Sequence, residues 1–227
     1  MAETTKTKHE AIISHQKYGR YTLPAAVVVL VIFHAVGFWG LVFSGEPVYF
    51  QQLTPLNLLL TCALLFSFHR CWHKSFILFA VIVFFAGFLA EAVGVHTGRL
   101  FGNYSYGNAL GMKVWEVPLL IGLNWLMLVY STGHISNYAR LPWVAKAVLG
   151  ALLMVLLDYF IEPVAMHYDF WSWQGGLIPF SNFIGWFIVA FLLQLYFQRT
   201  AFLKQNPMAA YIFLVQLAFF VSLNIHL

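Results

Sequence analysis

Seven apolar runs, joined by short polar loops, dominate this 227-residue chain and leave it few ways to fold. An apolar run of about 20 residues matches the hydrocarbon thickness of a bilayer. Within that thickness only helices and closed barrels satisfy their own backbone groups. The runs cover about 22–43, 55–68, 75–95, 114–132, 143–160, 180–197 and 208–225. The second is short for a span, so it is expected to sit tilted in a thin region or to extend back to Gln51. The expected fold is therefore all-α, a polytopic transmembrane bundle of about seven spans forming one domain over residues 22–227. With 61% hydrophobic and 9% charged residues, a soluble globular domain and a disordered chain are both excluded. Residues 1–21 are polar and read as a cytoplasmic N-terminal segment; the apolar run after them is too long for a cleaved signal peptide. Cys62 lies in an apolar run and Cys71 in a basic loop, which gives no disulfide framework.

The basic residues fix an orientation. With the N-terminus in the cytoplasm and the spans alternating, Lys6, Lys8, Lys17, Arg20, Arg70, Lys74, Arg140, Lys146, Arg199 and Lys204 all fall inside. Only Arg99 and Lys113 fall outside, as the preference for positive cytoplasmic loops requires. The C-terminus is then external. Because the net charge of +4 is confined to short loops between apolar runs, nucleic acid is not expected as a partner.

Five of the eight acidic residues lie in or beside the central apolar runs: Glu91, Glu116, Asp158, Glu162 and Asp169. A carboxylate in hydrocarbon costs several kcal/mol unless it is paired, protonated or wetted, so each such acid is a candidate for function. The alternation puts Glu91 near the outer end of span three and Glu116 at the outer start of span four. Asp158 and Glu162 are one helical turn apart at the outer end of span five. Asn182 and Trp186 begin span six from the same side, and Asn124 and Trp125 lie deeper in span four. These groups are expected to converge on one pocket in the outer half of the bundle, open to the outer leaflet or to the outer aqueous face. The alternative is that the acids pair with Arg99, Lys113 and tyrosine hydroxyls and only hold loops down. Two outer segments stand out. One carries Gly94, Gly98 and Gly102 at four-residue spacing, then Tyr104 and Tyr106. The other runs from Glu162-Pro163 through Trp171 and Trp173 to Pro179 and reads as re-entrant or interface-lying. Small residues also let helices approach closely, and aromatic residues also form interfacial belts. Together the two segments are expected to cover the pocket.

Glu91-Ala-Val-Gly94-Val-His-Thr-Gly98-Arg-Leu-Phe101-Gly102-Asn-Tyr104-Ser-Tyr106 resembles the signature of the carotenoid 1,2-hydratase family of bacteria and archaea. Val117-Pro118-Leu119 leading to Asn124-Trp125 is similar to the family's next block. Asp158 with Glu162-Pro163, Trp171-Ser-Trp173 and Ile178-Pro179 through Asn182 to Gly185-Trp186 resembles the third. The chain departs from the family pattern at two acids. Glu162 stands where the family usually has Asp before the proline, which keeps the carboxyl on a longer arm. The family more often has a small residue at the position of Glu116, so the resemblance does not carry that residue into the site.

The resemblance implies a multi-pass enzyme of the prokaryotic cell membrane that adds water to the terminal double bond of an acyclic carotenoid, giving a tertiary alcohol. It implies a lipophilic substrate, membrane lipid around it, further carotenoid-pathway enzymes as possible partners, no cofactor and no metal. The chemistry suits the acids. An isolated alkene is a poor base, so a carboxylic acid shielded from water must protonate it. Aromatic faces stabilise the resulting cation by roughly 0.5–2 kcal/mol each, and a second, ionised carboxylate orients or deprotonates the attacking water. Asp158, deeper in its helix, is expected as the general acid, with Glu162 or Glu91 positioning water. Tyr104, Tyr106, Asn124, Trp125, Trp171, Trp173, Asn182 and Trp186 are expected to bind substrate.

An isoprenoid cyclase or isomerase is the nearest rival, sharing the protonation step and differing in what quenches the cation. A proton-coupled transporter would show an internal repeat or paired broken helices, and no repeat is visible. A retinal protein would need a lysine inside the last span, which has none. A di-iron hydroxylase would need histidine clusters. His69 and His73 form the one close pair, and they read as interfacial rather than metal-binding, while His34 and His134 read as satisfied packing or interface residues. A purely structural membrane protein would tolerate amide substitution of its acids.

Overall fold

The computed structural model describes residues 2–227, with side chains from Thr22 onward. The side chains of the polar segment 1–21 lie outside the described residues, as does that segment's expected role. Eight helices are present among the described residues: α1 (Ala2–Phe43), α2 (Pro47–Gln52), α3 (Thr54–Ser67), α4 (Lys74–Thr97), α5 (Leu119–Asn137), α6 (Trp143–His167), α7 (Phe180–Arg199) and α8 (Met208–Asn224). The fold is all-α. Five of these helices, α1 from Thr22, α4, α5, α6 and α7, are long and apolar enough to cross a membrane; α3 and α8 are shorter and apolar.

The chain builds the bundle around α5, whose apolar window is 72% buried, against 22% for α1. Helices α3, α4, α6, α7 and α8 all pack on α5. Around the outside, side chains such as Val28, Ile32, Phe85, Leu89, Ile188 and Leu192 are exposed. A water-facing surface rarely carries so continuous an apolar skin, whereas lipid solvates it.

Three of the differences from the sequence reading have a local reason. First, α5 begins at Leu119 rather than Val114. Residues 113–118 instead form a hairpin of β2 (Lys113–Val114) and β3 (Val117–Pro118), paired antiparallel. Its turn residues Trp115 and Glu116 have φ of 50° and 62°, which no right-handed helix accepts. Second, α6 runs seven residues past the expected end at 160 and carries Pro163 inside it. Val164 and Ala165, both fully buried, hold that last stretch helical against the core. Third, the second span does not reach back to Gln51. The chain breaks at Leu53, and 47–52 form the separate short helix α2.

The two outer segments meet. Strand β1 (Tyr104–Tyr106) pairs antiparallel with β4 (Trp171–Trp173), with Tyr104 opposite Trp173 and Tyr106 opposite Trp171. Side chains alternate across a strand, so all four aromatic rings lie on the face turned to the bundle, while Ser105 and Ser172 are exposed on the other.

Candidate functional site

Helix α4 presents one buried face, with Phe76, Phe79, Val83, Gly87, Glu91 and Gly94 recurring every three or four residues. Glu91, 3% exposed, stands on this face between two glycines. A Cβ on Gly87 would sit 2.4 Å from the Cβ of Trp125, and one on Gly94 would sit 2.5 Å from the Phe101 ring and 2.9 Å from the Tyr104 hydroxyl. The two gaps therefore admit the two side chains that reach the carboxyl from either side. Gly94 thus makes room for Phe101 and Tyr104 of the following segment rather than for another helix. Gly98, at φ 64°, ends α4 in a left-handed cap.

Three donors converge on Glu91. Its Oε2 accepts from the Tyr104 hydroxyl at 2.5 Å and the Tyr106 hydroxyl at 2.8 Å, and its Oε1 accepts from Trp125 Nε1 at 3.0 Å. Burial, and then the neighbouring Glu91 carboxyl, push both tyrosine hydroxyls well above their usual range, so they remain O–H donors. Strand β1 supplies both hydroxyls, so the Glu91 carboxyl ties the strand pair to α4.

The second acidic group comes from α6. Asp158 and Glu162, four residues apart on its buried face, are each 1% exposed. Glu162 also has three donors. Its Oε2 accepts from Trp171 Nε1 at 2.9 Å and Trp173 Nε1 at 2.7 Å, and its Oε1 from Asn182 Nδ2 at 2.8 Å. The same Asn182 nitrogen, from the first turn of α7, donates to Asp158 Oδ2 at 3.0 Å. Asn182 therefore bridges the two carboxyls. Asp158 Oδ1 is buried and has no partner, which is costly in a packed interior unless water or a ligand meets it.

Glu91, Tyr104, Tyr106, Asn124, Trp125, Asp158, Glu162, Trp171, Trp173, Asn182 and Trp186, all anticipated from sequence, line one cavity of about 30 Å³. That is room for one or two waters. Trp125 and Trp186 stack in its wall with centroids 4.3 Å apart, and Tyr104 lies 4.9 Å from Trp173. A second cavity of about 280 Å³ lies against the first, sharing Ile121, Asn124, Ile161 and Trp171. It is walled by α1, α3, α5, α6 and α8 and is mostly apolar. Phe33 and Val36 of α1 and Leu56 of α3 line it while remaining more than half exposed, so it opens between α1 and α3 on the lipid-facing side. One pocket was expected; among the described residues two cavities adjoin there.

Glu116 and Asp169 are not in either cavity. Both are exposed, Glu116 at the tip of the β2–β3 hairpin and Asp169 in the turn after α6, with φ of 62° and 52°. Arg99 is exposed, and Lys113 Nζ donates to the Tyr106 carbonyl at 2.6 Å. Of the loop-holding alternative, the tyrosine hydroxyls are in place on Glu91, while the hydrogen bonds to the buried acids come from tyrosine, tryptophan and asparagine.

The histidines divide. His69 is buried in the loop between α3 and α4: its Nε2–H donates to the Cys71 carbonyl at 2.8 Å, and its Nδ1 accepts from the Tyr130 hydroxyl at 2.7 Å. His73 is exposed at the N-cap of α4. His134 donates through Nδ1 to the Tyr130 carbonyl at 2.7 Å but leaves Nε2 unpartnered, so it is only half satisfied. Sequence reasoning missed the larger cavity's His34, Asn57 and Gln216. Their signal was faint, a single neutral polar residue in an apolar run. Among the described residues, no group of three or more His, Cys, Asp or Glu is placed to hold a metal ion.

A family model described as carotenoid biosynthesis protein matches residues 53–227, which takes in α3 to α8 and both acidic groups. No curated protein and no solved structure matches the chain.

Proposed function

Because the chain belongs to the carotenoid biosynthesis protein family, we propose that it is a carotenoid hydratase acting on the terminal double bond of an acyclic end group. The observation that carries this reading is the unpartnered, buried Oδ1 of Asp158 in a water-sized cavity that adjoins a larger apolar one. An aliphatic end group enters from the lipid through the larger cavity, and the rest of the polyene stays among the acyl chains.

Asp158 has one donor on one oxygen and a free second oxygen. That arrangement suits a protonated carboxyl whose O–H points at the alkene. Glu91 and Glu162, each with three donors, suit ionised, acceptor-only carboxylates. Asp158 gives its proton to the less substituted alkene carbon, and the π electrons form the new C–H bond. The tertiary cation left on the neighbouring carbon faces the rings of Trp125, Trp186 and Trp171, which stabilise it by roughly 0.5–2 kcal/mol each. Water held in the small cavity attacks the cation, and Glu162 takes the proton from the resulting oxonium. Transfer from Glu162 back to Asp158, four residues away, restores both groups. Alkene and water have become a tertiary alcohol with nothing oxidised or reduced.

Space for water beside the acids supports hydration over cyclisation, in which an internal alkene would have to quench the same cation. Expression in a bacterium that accumulates lycopene, followed by mass analysis of its pigments, tests the reading. A gain of one water per processed end is expected. An isomer of unchanged mass would replace hydration by cyclisation, and unaltered pigment would remove the enzymatic reading.

A further inference from the structure

Asn182 bonds two carboxyls at once, and the proton transfers set out above give it no role. Its Nδ2 donates to Asp158 Oδ2 at 3.0 Å and to Glu162 Oε1 at 2.8 Å. An amide nitrogen carries two N–H bonds, and here each carboxyl takes one. Those two oxygens therefore face each other across a single NH2 group. Asn182 is buried, and its place is fixed from several sides. It stands in the first turn of α7, where its backbone N–H donates to the Pro179 carbonyl at 2.9 Å. The Ser181 hydroxyl donates to the Phe101 carbonyl at 3.0 Å. A Cβ on Gly185 would sit 2.3 Å from the Leu100 carbonyl oxygen, so glycine there lets α7 press against the segment that follows α4. A donor held this firmly is preorganised for its acceptors.

An acid and a carboxylate side by side in a closed space share one proton between their facing oxygens. A proton held there is turned away from a substrate. The Asn182 amide stands in that gap and occupies both facing oxygens. Glu162 Oε2 is taken by Trp171 and Trp173, so among the described residues Asp158 Oδ1 is the one oxygen of the pair without a partner. In a protonated carboxyl the carbonyl oxygen is the better acceptor. With Oδ2 accepting from Asn182, the proton belongs on Oδ1. We propose that Asn182 is a positioning residue that keeps Asp158 and Glu162 from sharing a proton and sets the acidic proton on Asp158 Oδ1. This rests on the reading of Asp158 as the proton donor. Serine in place of Asn182 would serve only one carboxyl, and aspartate would add a third acid with no N–H, so an amide is what the pair requires.

Infrared spectroscopy of the full chain in nanodiscs tests this without requiring turnover. The difference between wild type and Asp158→Asn isolates the C=O band of the protonated Asp158 carboxyl. Asn182→Leu, close to asparagine in size, removes both N–H donors. In that background the Asp158 band should leave its wild-type position, because the carbonyl has lost its donor and the proton is free to be shared with Glu162. Hydration by Asn182→Leu should fall about 30-fold in kcat with KM within about twofold, as a misplaced proton rather than a lost binding contact predicts. Asn182→Ser, which keeps one donor, serves where leucine impairs folding; it should also displace the band and lower kcat about fivefold. A wild type without the protonated band, a band unmoved in both variants, an unchanged kcat or a loss carried wholly by KM overturns the proposal. Failure of the hydration reading looks different: pigment mass stays unchanged while the Asp158 band still responds to Asn182.

Discussion

Polar side chains are buried at both ends of this bundle, and the two ends use them differently. At one end, Asn206 donates to the Tyr130 oxygen at 3.2 Å and to the Leu65 carbonyl at 2.8 Å; Tyr130 donates on to His69, and His69 to the Cys71 carbonyl. This relay is neutral and packed among aromatic rings, with His69 stacked 3.6 Å from Phe76. At the other end, three carboxyls are buried in a small space, two of them bridged by Asn182, and one oxygen of Asp158 is left open. The first arrangement ties loops to helices. The second concentrates acidic groups where folding alone gains nothing from them. Burial of a polar group is therefore a weak guide to function, whereas an unpartnered acidic oxygen beside a cavity is a strong one.

That contrast can be broken in three places. The largest effect is expected at Asp158. Asp158→Asn keeps the shape and removes the acid, so hydration should fall by at least about 100-fold while the protein remains folded, with a thermal midpoint close to wild type. Hydration at the normal rate in that variant would remove Asp158 as proton donor.

Glu91 comes next, because it is tied both to the strand pair and to the acid cavity. Glu91→Gln places an amide N–H against donors that need an acceptor, which should cost about 1–3 kcal/mol of stability. If Glu91 also helps hold water or charge for the reaction, kcat should fall about tenfold or more at a temperature where the variant is fully folded. A stability loss with unchanged kcat would reduce Glu91 to an anchor for β1.

The smallest effect is expected at the neutral end. Tyr130→Phe removes one hydrogen bond in the relay and should lower stability by about 1 kcal/mol with no change in hydration rate. A large loss of activity there would mean the two ends are coupled and would erase the distinction between them.

Much of the acidic site was legible because a carboxyl in an apolar run is a physical exception. Glu91, Asp158 and Glu162 announced themselves in that way. The four-residue spacing of Asp158 and Glu162 by itself puts them on one helix face. Glu116 and Asp169 carried the same signal without a buried position, since a left-handed backbone residue leaves no trace in hydropathy. The apolar residues Val114 and Val117 drew the start of α5 five residues too early, because a short hairpin and the first turn of a helix share that composition. His34, Asn57 and Gln216 were illegible for a different reason. One neutral polar residue in a span is common, and only the meeting of three helices shows that these share a cavity.

The sequence by itself determined the class of molecule and the chemistry available to it. Long apolar runs demand helices in lipid, and costly acids demand a use. The tertiary structure decided which acids meet, that Asn182 bridges two of them while tryptophans and tyrosines supply the other donors and leave Asp158 Oδ1 open, and that a water-sized space adjoins a hydrocarbon-sized one. Those outcomes depend on close approach of residues far apart in the chain, such as Glu91 and Asn182 around one cavity. Hydropathy is a property of each segment alone, whereas a cavity exists only between segments once they have packed.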